Sequence, residues 1–282
     1  MTKTKTRILF WGIQRSGNHA VINWLREQYE EPKMFLNHQE FGQELKASPE
    51  YSLASLGKEH NKSPKVYYTH KDTPNWQEMW RNPPDGSNEL LLVSFENYKL
   101  NTLSPERYQK GADLIDESIV GKSAQTINIL VLRDPFNMWV GNMPGNKQHD
   151  PQLWKIYAQE FVGETSFLPN KVCINFNKWF SNQDYRKEIS RQLGVTFSDQ
   201  GLNVVSNRGG GSTFDGTKFD GQAQKMNVLG RWEESDNFIK KRRLFKALRS
   251  DKKMDELVAK IYPELYGKWK KPSWENFWYY WI

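Results

Sequence analysis

Cysteine is nearly absent: Cys173 is the single one in 282 residues, so no intrachain disulfide can form. It stands in the apolar run 172–174 and reads as a packed core residue rather than a nucleophile. No apolar run approaches the ~18 residues a membrane span requires. The opening Met1-Thr2-Lys3-Thr4-Lys5 lacks a secretory pattern, and a cytoplasmic protein without a membrane span is expected. The five histidines and the one cysteine show no metal-ligand spacing, so no metal is expected. Internal repeats and separating linkers are also missing. One domain over residues 1–282 is the expectation, with a basic, aromatic-rich helical C-terminal segment from about 231.

Aromatic residues, by contrast, are abundant: 14% of the chain, with 12 Trp. That exceeds what one core of this size usually buries, so some rings are expected in a groove or interface. The formal charge is +7. A basic balance suits nucleotide phosphates, sulfated sugars or nucleic acid, although solvated lysines alone give the same figure.

Strand and helix patterns alternate along the chain. Residues 7–11 read as a buried strand, 12–17 as a turn, and 18–29 as a helix with Val21, Ile22, Trp24, Leu25 and Tyr29 at helical spacing. Prolines at 32, 49 and 64 break up 31–64. Further strands are expected at 66–70, 89–95, 127–132 and 172–176. Ser104-Pro105 opens one helix, and 184–193 forms another that stops at Gly194. The alternation predicts an α/β fold: a doubly wound, mainly parallel sheet of about five strands, P-loop-like. The glycine-rich stretch 200–230 reads as a long loop of the kind that carries function.

Gly12-Ile-Gln-Arg-Ser-Gly17 joins the first strand to the first helix, where free N–H groups face an anion. Its glycine spacing is that of a nucleotide-phosphate loop, but Asn18-His19 stand where a nucleotide triphosphatase has Lys and then Ser or Thr. The terminal-phosphate cation and the Mg²⁺ hydroxyl are therefore missing, while Arg15 supplies a permanent forked cation inside the loop. Such a loop predicts a phosphate-like ligand bound without a metal. Arg133, at the end of the buried strand Ile129-Leu-Val-Leu-Arg-Asp-Pro135, is a second candidate clamp; a local Arg133-Asp134 pair reads the same. Ser206-Asn-Arg208-Gly-Gly-Gly-Ser212 is a candidate anion nest, or a flexible linker.

Taken in order, these segments resemble the family of sulfotransferases that use 3′-phosphoadenosine 5′-phosphosulfate (PAPS). Arg15-Ser-Gly-Asn-His19 resembles the 5′-phosphosulfate loop, usually Lys/Arg-Ser-Gly-Thr-Thr. Val131-Leu-Arg-Asp-Pro135 resembles the 3′-phosphate segment, with Gly141 where that segment's serine is expected and Asn142 beside it. The stretch 173–179, Arg208-Gly209-Gly210 and Gly230-Arg-Trp232 resemble the later motifs. Phe176, Asn177 and Lys178 replace Tyr, Glu and Asp of the strand motif. The resemblance implies that Arg15, Ser16, Gly17, Asn18, His19, Arg133, Gly141, Arg208, Gly209 and Gly210 contact PAPS and its product adenosine 3′,5′-bisphosphate (PAP), with Arg15 near the bridging oxygen and no metal.

Sulfonate transfer also needs a base for the acceptor hydroxyl or amine. Tyr68-Thr69-His70 resembles the Lys-Thr-His of cytosolic members, which makes His70 a candidate. Ser94-Phe95-Glu96-Asn97-Tyr98 resembles the corresponding segment of carbohydrate-sulfating members, and Glu96 is favoured because its strand immediately precedes that of Arg133. The expected partner is a small-molecule or carbohydrate acceptor, with nucleic acid not expected. Two other readings stay open: a P-loop small-molecule kinase, against which Asn18-His19 stands, and a non-catalytic nucleotide- or nucleic-acid-binding protein using its basic aromatic tail.

Overall fold

The computed structural model describes residues 4–30, 33–37, 40–43, 66–68, 88–116, 121–140, 150–205, 211–212, 214–234 and 250–265, with backbone alone at 66–68, 88 and 140. Their strands are β1 (Thr4–Gly12), β2 (Lys33–Leu36), β3 (Val66–Tyr68), β4 (Asn88–Glu96), β5 (Ser123–Leu132) and β6 (Lys171–Asn175). The helices of six or more residues are α1 (Asn18–Arg26), α2 (Pro105–Ile115), α3 (Pro135–Val140), α4 (Pro151–Phe161), α5 (Phe176–Ser181), α6 (Gln183–Leu193) and α8 (Lys252–Ile261). The short α7 (Arg231–Glu234) lies between the last two.

The six strands form one sheet in the order β3-β2-β4-β1-β5-β6. Five run parallel, and β3 pairs antiparallel with β2 at the edge. This is the expected mainly parallel α/β sheet. After β1 the chain moves to one side of the sheet, returns as β4 beside β1, and then crosses to β5 on the other flank. The reversal makes the carboxyl end of β1 a topological switch point, where open α/β sheets bind ligands. Register sets the level of that crevice: Gly12 of β1 lies beside Glu96 of β4 and Val131 of β5.

Both faces of the sheet are covered, which accounts for the unbroken apolar runs of β1, β4 and β5. Leu9 and Trp11 of β1 pack with Tyr108 of α2, Phe136 of α3, Trp154 and Tyr157 of α4, and Met254 and Leu257 of α8. Ile8 and Phe10 face the opposite layer with Val21, Trp24 and Leu25 of α1, Trp179 of α5 and Ile189 of α6. Each side chain of this size fully removed from water contributes roughly 1.5–3 kcal/mol. Beneath the crevice, Trp11 lies 4.6 Å from the Phe95 ring, 4.9 Å from Phe41 and 5.5 Å from Tyr98, centroid to centroid.

The structure corrects the sequence reading in five places. The proline-broken stretch 31–64 contains β2, a four-residue strand next to Pro32 that is too short to show a period. Because β2 pairs with β4, the strand read at 66–70 becomes an antiparallel edge piece over Val66–Tyr68. Helix α4 went unread, although its Asp150-Pro151 start repeats the Ser104-Pro105 signal: each cap side chain accepts an N–H, from Gln152 and Arg107 respectively. The strand read as 172–176 ends at Asn175, whose side chain accepts from the Lys178 N–H and starts α5. The first helix stops at Arg26, where the Lys33 ammonium donates to the carbonyls of Arg26 and Tyr29. The helix read at 184–193 closes as expected on Gly194, at φ 70°.

Cys173 is partly buried, and burial pushes its thiol up to about 11, which suits the packed role. No helix among the described residues is long and apolar enough to cross a membrane. The aromatic end of the tail, 274–281, lies outside the described residues.

Candidate functional site

The loop between β1 and α1 is tied down from several directions. Asn97, in the left-handed region at φ 57° just past β4, donates its N–H to the Gly12 carbonyl at 3.0 Å. Its side-chain oxygen accepts from the Gln14 N–H at 2.9 Å. Ser16 is fully buried: its N–H donates to the Ile13 carbonyl at 3.1 Å, and its hydroxyl donates to the Met138 sulfur of α3 at 3.4 Å. Arg15 is held at φ 72°, a conformation that costs a non-glycine residue about 1–2 kcal/mol. Strain of this kind clusters at ligand clamps.

Gly17 is the N-cap of α1 at φ 83°, with no side-chain cap and no acidic residue in the first turn. The N–H groups of Gly17 and Asn18 have no acceptor among the described residues, leaving a helix N-terminus open to an anion. A Cβ at Gly17 would lie 2.1 Å from the Phe176 ring. Left-handed strain and overpacking therefore act together, and Gly17→Ala is expected to cost about 2–5 kcal/mol. Urea unfolding monitored by circular dichroism checks this; an unchanged midpoint would show that Phe176 yields freely.

Arg133, two residues beyond the level of Gly12, reaches back to the same loop. It is 5% exposed. One terminal nitrogen donates to the Arg15 carbonyl at 3.2 Å, the other to the Val228 carbonyl, and its guanidinium lies 5.0 Å above the Phe176 ring. Burial lowers its pKa to about 10, the neighbouring Asp134 charge opposing and Arg231 adding to the effect. None of the ion pairs formed by the described residues includes Arg133. Its Nε is buried without an acceptor among the described residues. A desolvated cation with spare donors beside a free helix N-terminus is a site whose chemistry calls for an anion.

The late glycine-rich region comes to this end of the sheet. Asp134, fully buried, accepts from the Asn137 N–H at 2.8 Å. The Asn137 side chain donates to the Leu229 carbonyl and accepts from the Trp232 N–H, at 2.9 and 2.8 Å. Arg231 then donates to the Ser212 hydroxyl at 2.8 Å and pairs with Asp215 at 2.6 Å, its guanidinium lying 4.7 Å over the Phe214 ring. Ser212, Phe214 and Asp215 are thereby fixed to the helix that starts at Arg231. Arg208, Gly209, Gly210, Gly141 and His70 lie outside the described residues.

On the β4 side of the loop, the Asn18 amide donates both to the Ile13 carbonyl at 3.2 Å and to Glu96 Oε1 at 2.9 Å. His19 Nε2 is 3.4 Å from the Asn37 side-chain oxygen, which also accepts from the Ser94 hydroxyl at 3.0 Å. The structure thus brings Arg15, Ser16, Gly17, Asn18, Arg133 and Glu96 to one end of the sheet. Ser16, however, turns its hydroxyl into the protein and supports the loop from behind.

Sequence reasoning missed Asn97, Phe176 as the platform under Arg133, and Tyr157 of α4. The Tyr157 hydroxyl is fully buried without a partner among the described residues, its pKa driven upward by burial and by the Glu96 charge. Asn97 carried a signal, since asparagine tolerates the left-handed region at strand ends. Tyr157 carried none, lying in a helix that was not recognised.

No protein-family model and no curated protein matches the chain. Among solved structures it is similar to mouse sulfotransferase SULT7A1 complexed with PAP, at 12% identity over 96% of this chain and 89% of that one, TM-score 0.39. It is also similar to the sulfotransferase domain from the curacin biosynthetic pathway, at 13% identity over 92% of this chain and 98% of that one, TM-score 0.44.

Proposed function

We propose that this crevice binds PAPS and transfers its sulfonate to a hydroxyl or amine of a small-molecule or carbohydrate acceptor, without a metal. The observation that carries the reading is the meeting of the α1 N-terminus, which has no side-chain cap, with the buried guanidinium of Arg133, which forms no ion pair among the described residues, at the switch point. The N–H groups of Gly17 and Asn18 would hold the 5′ end of the donor, with the Arg15 side chain on the bridging oxygen and His19 at the loop's edge. Arg133 would face the 3′-phosphate, with Gly141, Arg208, Gly209 and Gly210 completing that end.

In the reaction, the acceptor oxygen or nitrogen forms a bond to sulfur as the bond from sulfur to the bridging oxygen breaks. The electron pair of the broken bond leaves on the 5′-phosphate of PAP, where Arg15 and the helix N-terminus stabilise the charge. Glu96 takes the acceptor's proton, lying level with Gly12 in the adjacent strand; His70 is the other candidate for that task.

Calorimetric titration in EDTA tests the donor site. PAP is expected to bind with a roughly micromolar dissociation constant. At a hundredfold excess over that constant it should stabilise the chain by about 2.7 kcal/mol. In a parallel titration with Mg²⁺ in place of EDTA, preference for Mg-ATP over PAP would instead establish the kinase reading. Salt-sensitive binding of a single-stranded oligonucleotide with no PAP binding would establish the nucleic-acid reading.

A further inference from the structure

Asn18 occupies a position from which a side chain at a helix N-terminus ordinarily faces the bound anion, yet its amide points sideways. It is 5% exposed and lies across the end of β1 to reach Glu96 on β4. Gly12 makes the path: it is the β1 residue in register with Glu96, and a Cβ there would lie 2.2 Å from Asn18 Oδ1 and 2.8 Å from its amide nitrogen. A glycine at a strand end often marks such a close approach. Both amide hydrogens have acceptors, one on the loop's own Ile13 carbonyl and one on the carboxylate.

We propose that the Asn18 side chain is a positioning residue for Glu96, binding the carboxylate to the anion loop through Oε1. This inference rests on the reading of Glu96 as the base. The backbone N–H of Asn18 serves the donor while its side chain serves the base, so one residue fixes the distance between the two halves of the reaction. Among the described residues, Glu96 accepts from Asn18 of α1, lies in register with Gly12 of β1, and carries a charge that acts on the Tyr157 hydroxyl of α4. Burial raises the Tyr157 pKa, so this hydroxyl stays neutral while Glu96 titrates. A hydrogen bond donated to a carboxylate favours its charged form and holds its pKa down; removing the donor has the opposite sign.

The test follows the Glu96 carboxyl by carbon NMR, assigned by its disappearance in Glu96→Gln. In Asn18→Ala, which keeps the backbone N–H, the Glu96 titration is expected to move up by about one pH unit. Gly12→Ala should give the same upward shift by displacing the amide. In the parent chain, the Asn18 side-chain amide resonances should titrate together with Glu96, a measurement that needs no variant. A Glu96 titration unmoved in folded Asn18→Ala, or Asn18 amide resonances indifferent to it, overturns the proposal. Failure of the parent chain to bind PAP would instead overturn the donor reading while leaving this link observable.

Discussion

Replacement of Glu96 by Gln is expected to lower sulfonate transfer by about 10²- to 10⁴-fold, the usual contribution of a positioned general base, with PAP affinity retained. The amide keeps the shape of the carboxylate and can still accept from Asn18 through its carbonyl oxygen, so the crevice floor is preserved and the lost basicity is isolated. Transfer is measured with radiosulfur-labelled PAPS and a panel of simple alcohols, phenols and amino sugars, using whichever acceptor the parent chain sulfonates. The sign of the pH dependence follows from the role. The carboxylate must be ionised to take the proton, so the acid limb of kcat/KM in the parent chain belongs to Glu96 and should vanish in the variant. Retained activity in Glu96→Gln together with an inactive His70→Gln would move the role of base to His70.

The second large effect concerns Arg133. Arg133→Met keeps an unbranched side chain but removes the charge that lies over Phe176. Because the guanidinium is buried with no carboxylate partner among the described residues, its desolvation works against folding; replacing buried charge by apolar volume is often neutral or stabilising. The lost donations to the Arg15 and Val228 carbonyls offset part of that, at about 1 kcal/mol each. The expected result is a melting temperature within a few degrees of the parent and PAP affinity reduced at least about a hundredfold, from loss of charge-assisted hydrogen bonds of about 1.5–3 kcal/mol each. Calorimetry and thermal unfolding on the same samples check both halves. A cooperative, folded variant that binds PAP as the parent does would make Arg133 a brace between the loop and residue 228, and nothing more.

The elements legible in the sequence were those whose periods were long or whose ends were marked. β1, β4 and β5 are continuous apolar runs because both faces of the sheet are covered, and Ser104-Pro105 and Gly194 fix helix ends by local chemistry. β2 escaped because four residues carry no period, and its membership is settled by pairing with β4, a tertiary fact. The loop was legible for a different reason: Gly12 and Gly17 stand where a Cβ would run into the Asn18 amide and the Phe176 ring. What the sequence did not reveal is the direction in which polar side chains turn. Ser16 faces Met138 rather than the crevice, and Asn18 faces Glu96. Hydrogen bonds to residues distant in the chain chose those directions, and residue type alone does not encode them.

The staples on the first loop have a kinetic consequence. Asn97, Ser16 and Arg133 hold its backbone in place from β4, α3 and β5, and the strained Arg15 backbone is maintained by those same contacts. A loop already in its final shape loses little conformational entropy when an anion arrives. Capture of the donor is then governed by diffusion and by the attraction of the chain's positive charge, with no slow folding of the loop around its guest.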